Sequence, residues 1–392
     1  MSTPPESNLA LSSWCSVSSE ALTHNVGIFR RRLSSGARLG IVVKANAYGH
    51  GLLESARTFV SAGADWLIVN SVDEALALRA GELEAPIYIC GRVQPARAGD
   101  VVAADARCVI YDNELAGALD AAARAAGRVV PVHLKIETGN HRQGLVLRDA
   151  LALGRLAAAL PGLELEGVAT HFADIEDTTD HRFAGQQVAA FAAARQAFIE
   201  AGLAVPIVHS ANSAATILFP ETHGDLVRVG LAAYGLWPSP ETFATAIQIH
   251  AQGGDGFLPE LRPALSWRAR VAQVKDVPTG AFVGYGRTFR ATWPMRVAIL
   301  PVGYHEGYDR RLSNLAHVLV KGVRAPVRGR VCMNMMMVDV THIPDVRAGE
   351  IATLMGQDGE ERVSAEQLAG WMGSINYEVV SRIHPGEPRI LT

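Results

Sequence analysis

The apolar pattern changes character after about residue 240. Before that point, short and nearly continuous apolar runs recur: Gly40–Lys44 (GIVVK), Asp65–Asn70 (DWLIVN), Pro86–Cys90 (PIYIC), Arg107–Tyr111 (RCVIY), Val129–Ile136 (VVPVHLKI), Glu166–His171 (EGVATH), Pro206–Ser210 (PIVHS) and Leu226–Gly230 (LVRVG). Strands covered on both faces read this way, because no alternate position has to be polar. Between them lie Ala-rich segments, among them Leu52–Ala62, Asp73–Ala80, Asn113–Ala126, Leu147–Leu160 and Phe183–Ala201. Ala, Leu, Arg and Gln favour helix, and Gly63, Gly81, Gly127, Gly162 and Gly202 stand where stops are expected. Asp73 and Asp112–Asn113 are the expected N-caps. Eight strand–helix alternations predict an α/β fold, a (β/α)8 TIM barrel. An open doubly wound sheet is the alternative, but no dinucleotide fingerprint accompanies it.

Beyond that point the stretches alternate: Ser266–Val274, Arg296–Val302 and Arg328–Val340, with Pro and Gly between them. They predict a mainly antiparallel β domain with one helix at Ser364–Met372, where Glu366 lies near an N-cap Ser. The expected domains are 1–245 and 246–392, the first ~12 residues being assignable to either. Gly253–Pro263 is the expected linker.

Hydrophobic residues make up 49% of the 392 and charged residues 19%, enough apolar surface to exclude intrinsic disorder. The net charge of −3 shows no nucleic-acid footprint. The four cysteines form no CxxC pair, which argues against a disulfide scaffold or structural zinc and fits a reducing compartment. The N-terminal MSTPPESNLALSSWCSV has no basic region before an apolar core, so no signal peptide is read. Ala201–Pro220 is too polar for a membrane span. A cytoplasmic protein is expected.

Functional groups of a barrel gather at the C-terminal ends of its strands. There the sequence places Lys44 and Tyr48, Lys135 and Arg142, His171, Ser213, and Arg228 with Gly230. No carboxylate pair suits glycoside hydrolysis, and no HExxH-type spacing suggests a metal, so no metal ligand is assigned. The inventory is cationic and suits a phosphate plus a carboxylate. Each residue also has a plainer reading. A strand-end Lys is commonly solvated, a single His is commonly a hydrogen-bonded core residue, and Asn212-Ser213 would serve as a helix cap. Arg228 inside an apolar strand reads equally as a structural ion pair or a ligand contact.

VKANAYGHG (43–51) resembles the cofactor-lysine motif of alanine racemases, which join a barrel to a β domain and use pyridoxal 5'-phosphate (PLP). The resemblance continues through KIETGNHRQG (135–144), ATHFAD (169–174), HSANSAA (209–215), RVGLAAYG (228–235), VGYGRTF (283–289), PVGYHEGY (301–308), GRVCMN (329–334) and NYEVVSRI (376–383). It implies two-base racemisation of a small amino acid, L-alanine to D-alanine, supplying a peptidoglycan precursor. By that resemblance Lys44 carries PLP and is one base. Tyr285 is the other, reaching the site from the partner in a homodimer. Tyr48, Ser213, Gly230, Leu231 and Tyr377 would hold the phosphate, and Arg228 would face the pyridine nitrogen. His171 would lie against the ring, Arg142 and the Met333 backbone would hold the substrate carboxylate, and Lys135 would support Arg142.

Four positions depart from the family pattern. Asn140 replaces Met, Asn334 replaces Asp, His305-Glu306 replaces Ala-Asp, and RIHPGEPRILT lacks the basic-Val-Pro-Arg ending. None removes a catalytic group, but the first two bear on side-chain preference, since a pocket discriminates one methylene by only ~1–3 kcal/mol. A broad-specificity or serine racemase is therefore the alternative. A decarboxylase or a non-catalytic PLP-binding protein fits less well, because GRVCMN lacks the decarboxylase signature and Tyr285 lies in a second domain.

Overall fold

The computed structural model describes residues 11–253 and 257–392. Residues 254–256 of the expected linker and the first ten residues of the stretch read for a leader lie outside that description. The described chain divides into two compact units. One comprises Glu20–Ala47 and Leu52–Pro263; the other joins the start of the chain, through Ser19, with Tyr48–Gly51 and Ala264–Thr392.

Strand β1, Ser13–Val17, belongs to the second unit. The first unit contains eight parallel strands: β2 (Arg38–Val42), β3 (Trp66–Val69), β4 (Ile87–Ile89), β5 (Ala106–Ile110), β6 (Val130–Lys135), β7 (Leu163–Ala169), β8 (Ile207–His209) and β9 (Leu226–Val229). Their order is β8-β7-β6-β5-β4-β3-β2-β9. The seam between β8 and β9 is tied by Asp225 N–H to Val208 O and Arg228 N–H to Ala211 O, each 2.9 Å, so the sheet is a nearly closed barrel. Parallel strands with helices between them are buried on both faces, which is why their apolar runs are unbroken. Packing inside is tight at Gly40, where a Cβ would lie 2.8 Å from Ile68 Cδ1 and 2.9 Å from Val227 O.

Helix Val72–Ala80 corrects one expectation: its N-cap is Ser71, in a capping box with Glu74, and not Asp73. Asp112 does cap Asn113–Ala125, accepting from Leu115 N–H. A helix at Pro240–Ala251, capped by Ser239, stands where long helices were expected to have ended. It has Phe243 and Ile247 exposed, so its apolar positions form no strong stripe.

In the second unit β1 lies inside a sheet, antiparallel to Leu265–Arg270 and parallel to Arg389–Leu391. A second, three-stranded sheet joins Gln273–Val277, Met295–Leu300 and Met336–Asp339. The expected strand Ser266–Val274 is thus two strands broken after Arg270, and only Met336–Asp339 of Arg328–Val340 is strand. Gly329 explains part of that: its φ is +76° and a Cβ would lie 2.4 Å from Val283 O. Ser364 caps Ala365–Met372 through a box with Gln367, and a further short helix, Asn376–Ser381, follows. No helix among the described residues is long and apolar enough to cross a membrane.

Candidate active site

Lys44 lies two residues beyond the end of β2 at Val42, not at the strand end as expected, and opens an unusual turn. Ala45, Asn46, Ala47 and Tyr48 all have φ between 51° and 55°. A left-handed residue other than glycine costs roughly 1–2 kcal/mol, and such strain persists only where surrounding bonds over-determine it. Those bonds are present. Ala45 N–H donates to Glu74 Oε1 at 2.7 Å, Leu52 N–H to Asn46 Oδ1 at 2.9 Å, and Ala47 N–H to Val43 O at 2.8 Å. Glu74 also accepts from Asn70 N–H, so one capping residue fixes the turn that sets the lysine backbone.

Arg228 projects from β9 and is buried. Its Nη2 donates to Thr170 O at 2.9 Å and Ser210 O at 3.0 Å, and lies 3.5 Å from His171 Nδ1. Its Nη1 donates to His209 Nδ1 at 2.7 Å. A guanidinium only donates, so His209 carries its proton on Nε2. That N–H meets His133 Nδ1 at 2.8 Å, which places the His133 proton on Nε2, 2.8 Å from Glu166 Oε2. Arg107 Nε donates to the same oxygen at 2.8 Å. A relay with one fixed polarity therefore crosses the barrel interior from Glu166 to Arg228. A bulge makes it possible: Val132 pairs with Leu165 and His133 with Gly167, leaving Glu166 as the extra residue. Gly167 leaves room, since a Cβ there would lie 2.7 Å from His133 Nδ1.

Burial, then the nearby charges of Arg228, His133 and Lys135, holds His209 well below the usual histidine range. Burial also lowers His133 against the pull of Glu166. Burial would raise Glu166, but hydrogen bonds from His133 and Arg107 outweigh it and hold the carboxyl low. His171 follows β7 in the loop, two residues beyond the strand end at Ala169 and not at the strand end as expected. It too is well below the usual range, through burial first and then Arg228, Lys135, Arg142 and Lys44 in that order. Lys135, at the end of β6, is lowered to about 8 by burial and by Arg228 and Arg142. Arg228 is the cation placed against the His171 imidazole, and none of Lys44, Lys135, Arg142 and Arg228 has a carboxylate ion-pair partner among the described residues. Arg142 itself is exposed. Near it the buried Tyr111 hydroxyl has no hydrogen-bond partner among the described residues.

Ser213 begins the short helix Ser213–Leu218, capped by Asn212. Its Oγ accepts from Gly230 N–H at 2.8 Å, which draws Gly230 and Leu231 to the same place. The Ser213 and Leu231 N–H groups stand at first helical positions, where no intrahelical acceptor is in reach, the arrangement that suits an anion.

The second unit holds the other expected residues. Tyr48 and Tyr377 face one another with ring centroids 6.0 Å apart. Gly49 permits this approach: its φ is +81°, and a Cβ would lie 2.0 Å from Val380 O. Tyr285 is 74% exposed, on a turn whose glycines pack against the Gly329–Arg330 backbone and the Arg330 side chain. Three residues on, Met333 is 56% exposed at the tip of a turn closed by Cys332 N–H to Met335 O, 2.9 Å.

Residues 17–238 match the family model described as alanine racemase, N-terminal domain, and residues 264–391 match alanine racemase, C-terminal domain. The chain belongs to the alanine racemase family. It is 38% identical over 387 residues to the alanine racemase of Leptospira interrogans, covering 97% of this chain and 96% of that one. It is 40% identical over 376 residues to that of Symbiobacterium thermophilum, covering 96% of each. Among solved structures, the alanine racemase from D-cycloserine producing Streptomyces lavendulae superposes with a TM-score of 0.89 at 34% identity, covering 100% of this chain and 98% of that one. The Bacillus anthracis alanine racemase with bound L-Ala-P gives 0.88 at 32%, covering 97% and 95%.

Against the family motifs, the sequence reading missed His133, His209, Glu166 and Glu74. The signal for the first three was polar residues inside apolar strand runs, at positions that a barrel turns inward. Glu74 was legible as part of a Ser-x-x-Glu capping box.

Proposed function

We propose that this chain interconverts L- and D-alanine with PLP as cofactor, acting in the cytoplasm as a homodimer whose site takes Tyr285 from the second copy. The observation that carries this reading is buried Arg228, which donates to Thr170 O and Ser210 O, lies 3.5 Å from His171 Nδ1 and has no carboxylate ion-pair partner among the described residues. The groups present fit PLP. Its aldehyde requires a primary amine, which Lys44 offers from a turn of fixed geometry. Its phosphate suits the Ser213 hydroxyl, the Gly230 and Leu231 backbone and the paired tyrosines Tyr48 and Tyr377. Its ring nitrogen would suit the donor-only Arg228, and His171, 3.5 Å from that guanidinium, would help hold the ring.

Bound PLP supplies an electron sink that acidifies the substrate Cα–H. Arg142 and the Met333 N–H hold the substrate carboxylate. Lys44 Nζ moves a proton to or from one face of Cα, and the Tyr285 hydroxyl serves the opposite face, one group for each enantiomer. Arg228 keeps its protons, because a guanidinium is not deprotonated in a protein, so it would donate a hydrogen bond to the ring nitrogen without protonating it. A second copy is supported by the exposed apolar side chains Phe282, Tyr285, Tyr304, Leu315, Met333 and Met335. Four free thiols suit a reducing compartment.

The test is chiral separation after incubating the PLP-loaded protein with L-alanine. Enantiomers have equal free energy, so the products should approach equal amounts from either side. Persistence of pure L-alanine with loaded protein would refute the proposal.

A further inference from the structure

The positions that depart from the family pattern in the second unit meet in one place. Asn334 Nδ2 donates to Glu306 Oε1 at 2.6 Å. Glu306 Oε2 accepts from Gly303 N–H at 2.8 Å, and its carbonyl accepts from His384 N–H at 3.0 Å. The His305 and His384 rings lie 4.8 Å apart, inclined by 31°. His384 belongs to the unusual C-terminal segment.

Two loops are joined at this point. Tyr304 N–H donates to Cys332 O at 3.0 Å and His305 N–H to Met333 O at 2.9 Å. Gly303 allows the contact, since a Cβ there would lie 2.1 Å from Cys332 O. The turn that presents Met333 is thus held by backbone bonds on one side and by the Asn334 side chain on the other.

We infer that the Glu306–Asn334 hydrogen bond is a positioning device that locks the Met333 turn and aims its N–H at the substrate carboxylate. The last step rests on the proposed function; the locking does not. The donor pattern accounts for the bond in this chain. Glu306 is acceptor-only, and both its oxygens are engaged, by Gly303 N–H and by the Asn334 amide. An aspartate in place of Asn334, the family's usual choice, would oppose a second carboxylate at that distance and could bond only by retaining a proton. The asparagine supplies the donor that Glu306 requires.

Three variants test the inference. Asn334→Asp is nearly isosteric and restores the family residue, yet it should raise KM for L-alanine about tenfold with kcat little changed, because binding is lost equally in ground and transition states. The defect should ease as pH falls and the two carboxyls share a proton. Glu306→Gln alone should raise KM less than about threefold, since the Asn334 amide can turn its oxygen toward the new donor. The double variant Glu306→Gln/Asn334→Asp reverses the bond: the glutamine oxygen accepts from Gly303 N–H, and the glutamine nitrogen donates to the introduced carboxylate. It should return KM to within about threefold of the starting protein.

Hydrogen exchange of the Gly303, Tyr304 and His305 amides provides a readout free of turnover. Exchange should accelerate at least about tenfold in Asn334→Asp and recover in the double variant. If the starting protein racemises alanine but Asn334→Asp changes neither KM nor exchange, the inference is overturned. If it does not racemise alanine, the proposed function fails, and the exchange pattern alone decides whether the bond locks the turn. Failure of the double variant to recover in either readout also overturns it.

Discussion

Replacing Glu166 with Leu removes the anchor of the buried relay. Its Oε2 receives two hydrogen bonds of 2.8 Å, from His133 and Arg107. The His133 side chain is fully buried, and those of Arg107 and Glu166 are 17% and 13% exposed. A hydrogen bond to a charged group contributes roughly 1.5–3 kcal/mol, and a buried donor left unpaired costs about as much again. Partial exposure screens the arginine's share, so we expect Glu166→Leu to cost about 3–4 kcal/mol. Glu166→Gln keeps the shape and one acceptor and should cost about 1–2 kcal/mol. Urea unfolding followed by circular dichroism measures both, through a lower midpoint at unchanged slope. Arg107 also stacks 4.3 Å from the Trp66 ring centroid, so the tryptophan emission should change in Glu166→Leu before unfolding begins. A cost below about 1 kcal/mol for the leucine variant, or equal costs for both variants, would refute the relay as drawn.

Other expectations follow from the same geometry. Glu74→Ala removes the acceptor of Ala45 N–H and should release the strained turn after Lys44; PLP retention on gel filtration should fall at least about tenfold while the melting temperature moves by only a few degrees. Folded His133, His171 and His209 all take protons less readily than an unfolded histidine. The unfolded chain therefore binds protons first as pH falls below about 6.5, and stability should drop by up to about 1.4 kcal/mol per pH unit for each histidine, measured by urea midpoints. Lys135, lowered to about 8, has the same sign in alkali: its contribution should rise with pH between about 8 and its unfolded value, and Lys135→Met should flatten that slope. Tyr285→Phe should cut racemisation by several orders of magnitude in both directions while leaving proton exchange on the Lys44 face measurable; unimpaired racemisation would remove Tyr285 from the two-base scheme.

Much of the barrel was legible because a parallel strand buried on both faces leaves an unbroken apolar run, and each of the eight runs became a strand. The second unit was less legible. Strand assignment from alternation carried Ser266–Val274 across the break after Arg270, because Val271 and Ala272 continue the pattern where the partner changes from one sheet to another. The helix at Pro240–Ala251 was missed because its exposed Phe243 and Ile247 blur the periodicity, although Ser239-Pro240-Glu241 is a start signal.

The site divides along the same line. Lys135 at the end of β6, Lys44 two residues past the end of β2 and Arg228 within β9 follow from the barrel's geometry alone. Tyr285 and Met333 were found only through family resemblance, since an exposed Tyr between two glycines and a Met in an apolar run carry no chemical signature of their own. The relay from Glu166 to Arg228 depends on a bulge, and a one-residue irregularity leaves no trace in hydrophobic periodicity.

Deuterium uptake at Cα tests two-base alanine racemisation most directly. PLP-loaded protein in heavy water is given L-alanine and, separately, D-alanine, and each product is resolved by chirality and mass. The proposed function predicts that each enantiomer yields the other with deuterium at Cα, and that Lys44→Ala forms neither. Carbon dioxide with an amine as products, or product that keeps its original Cα hydrogen throughout, would contradict it.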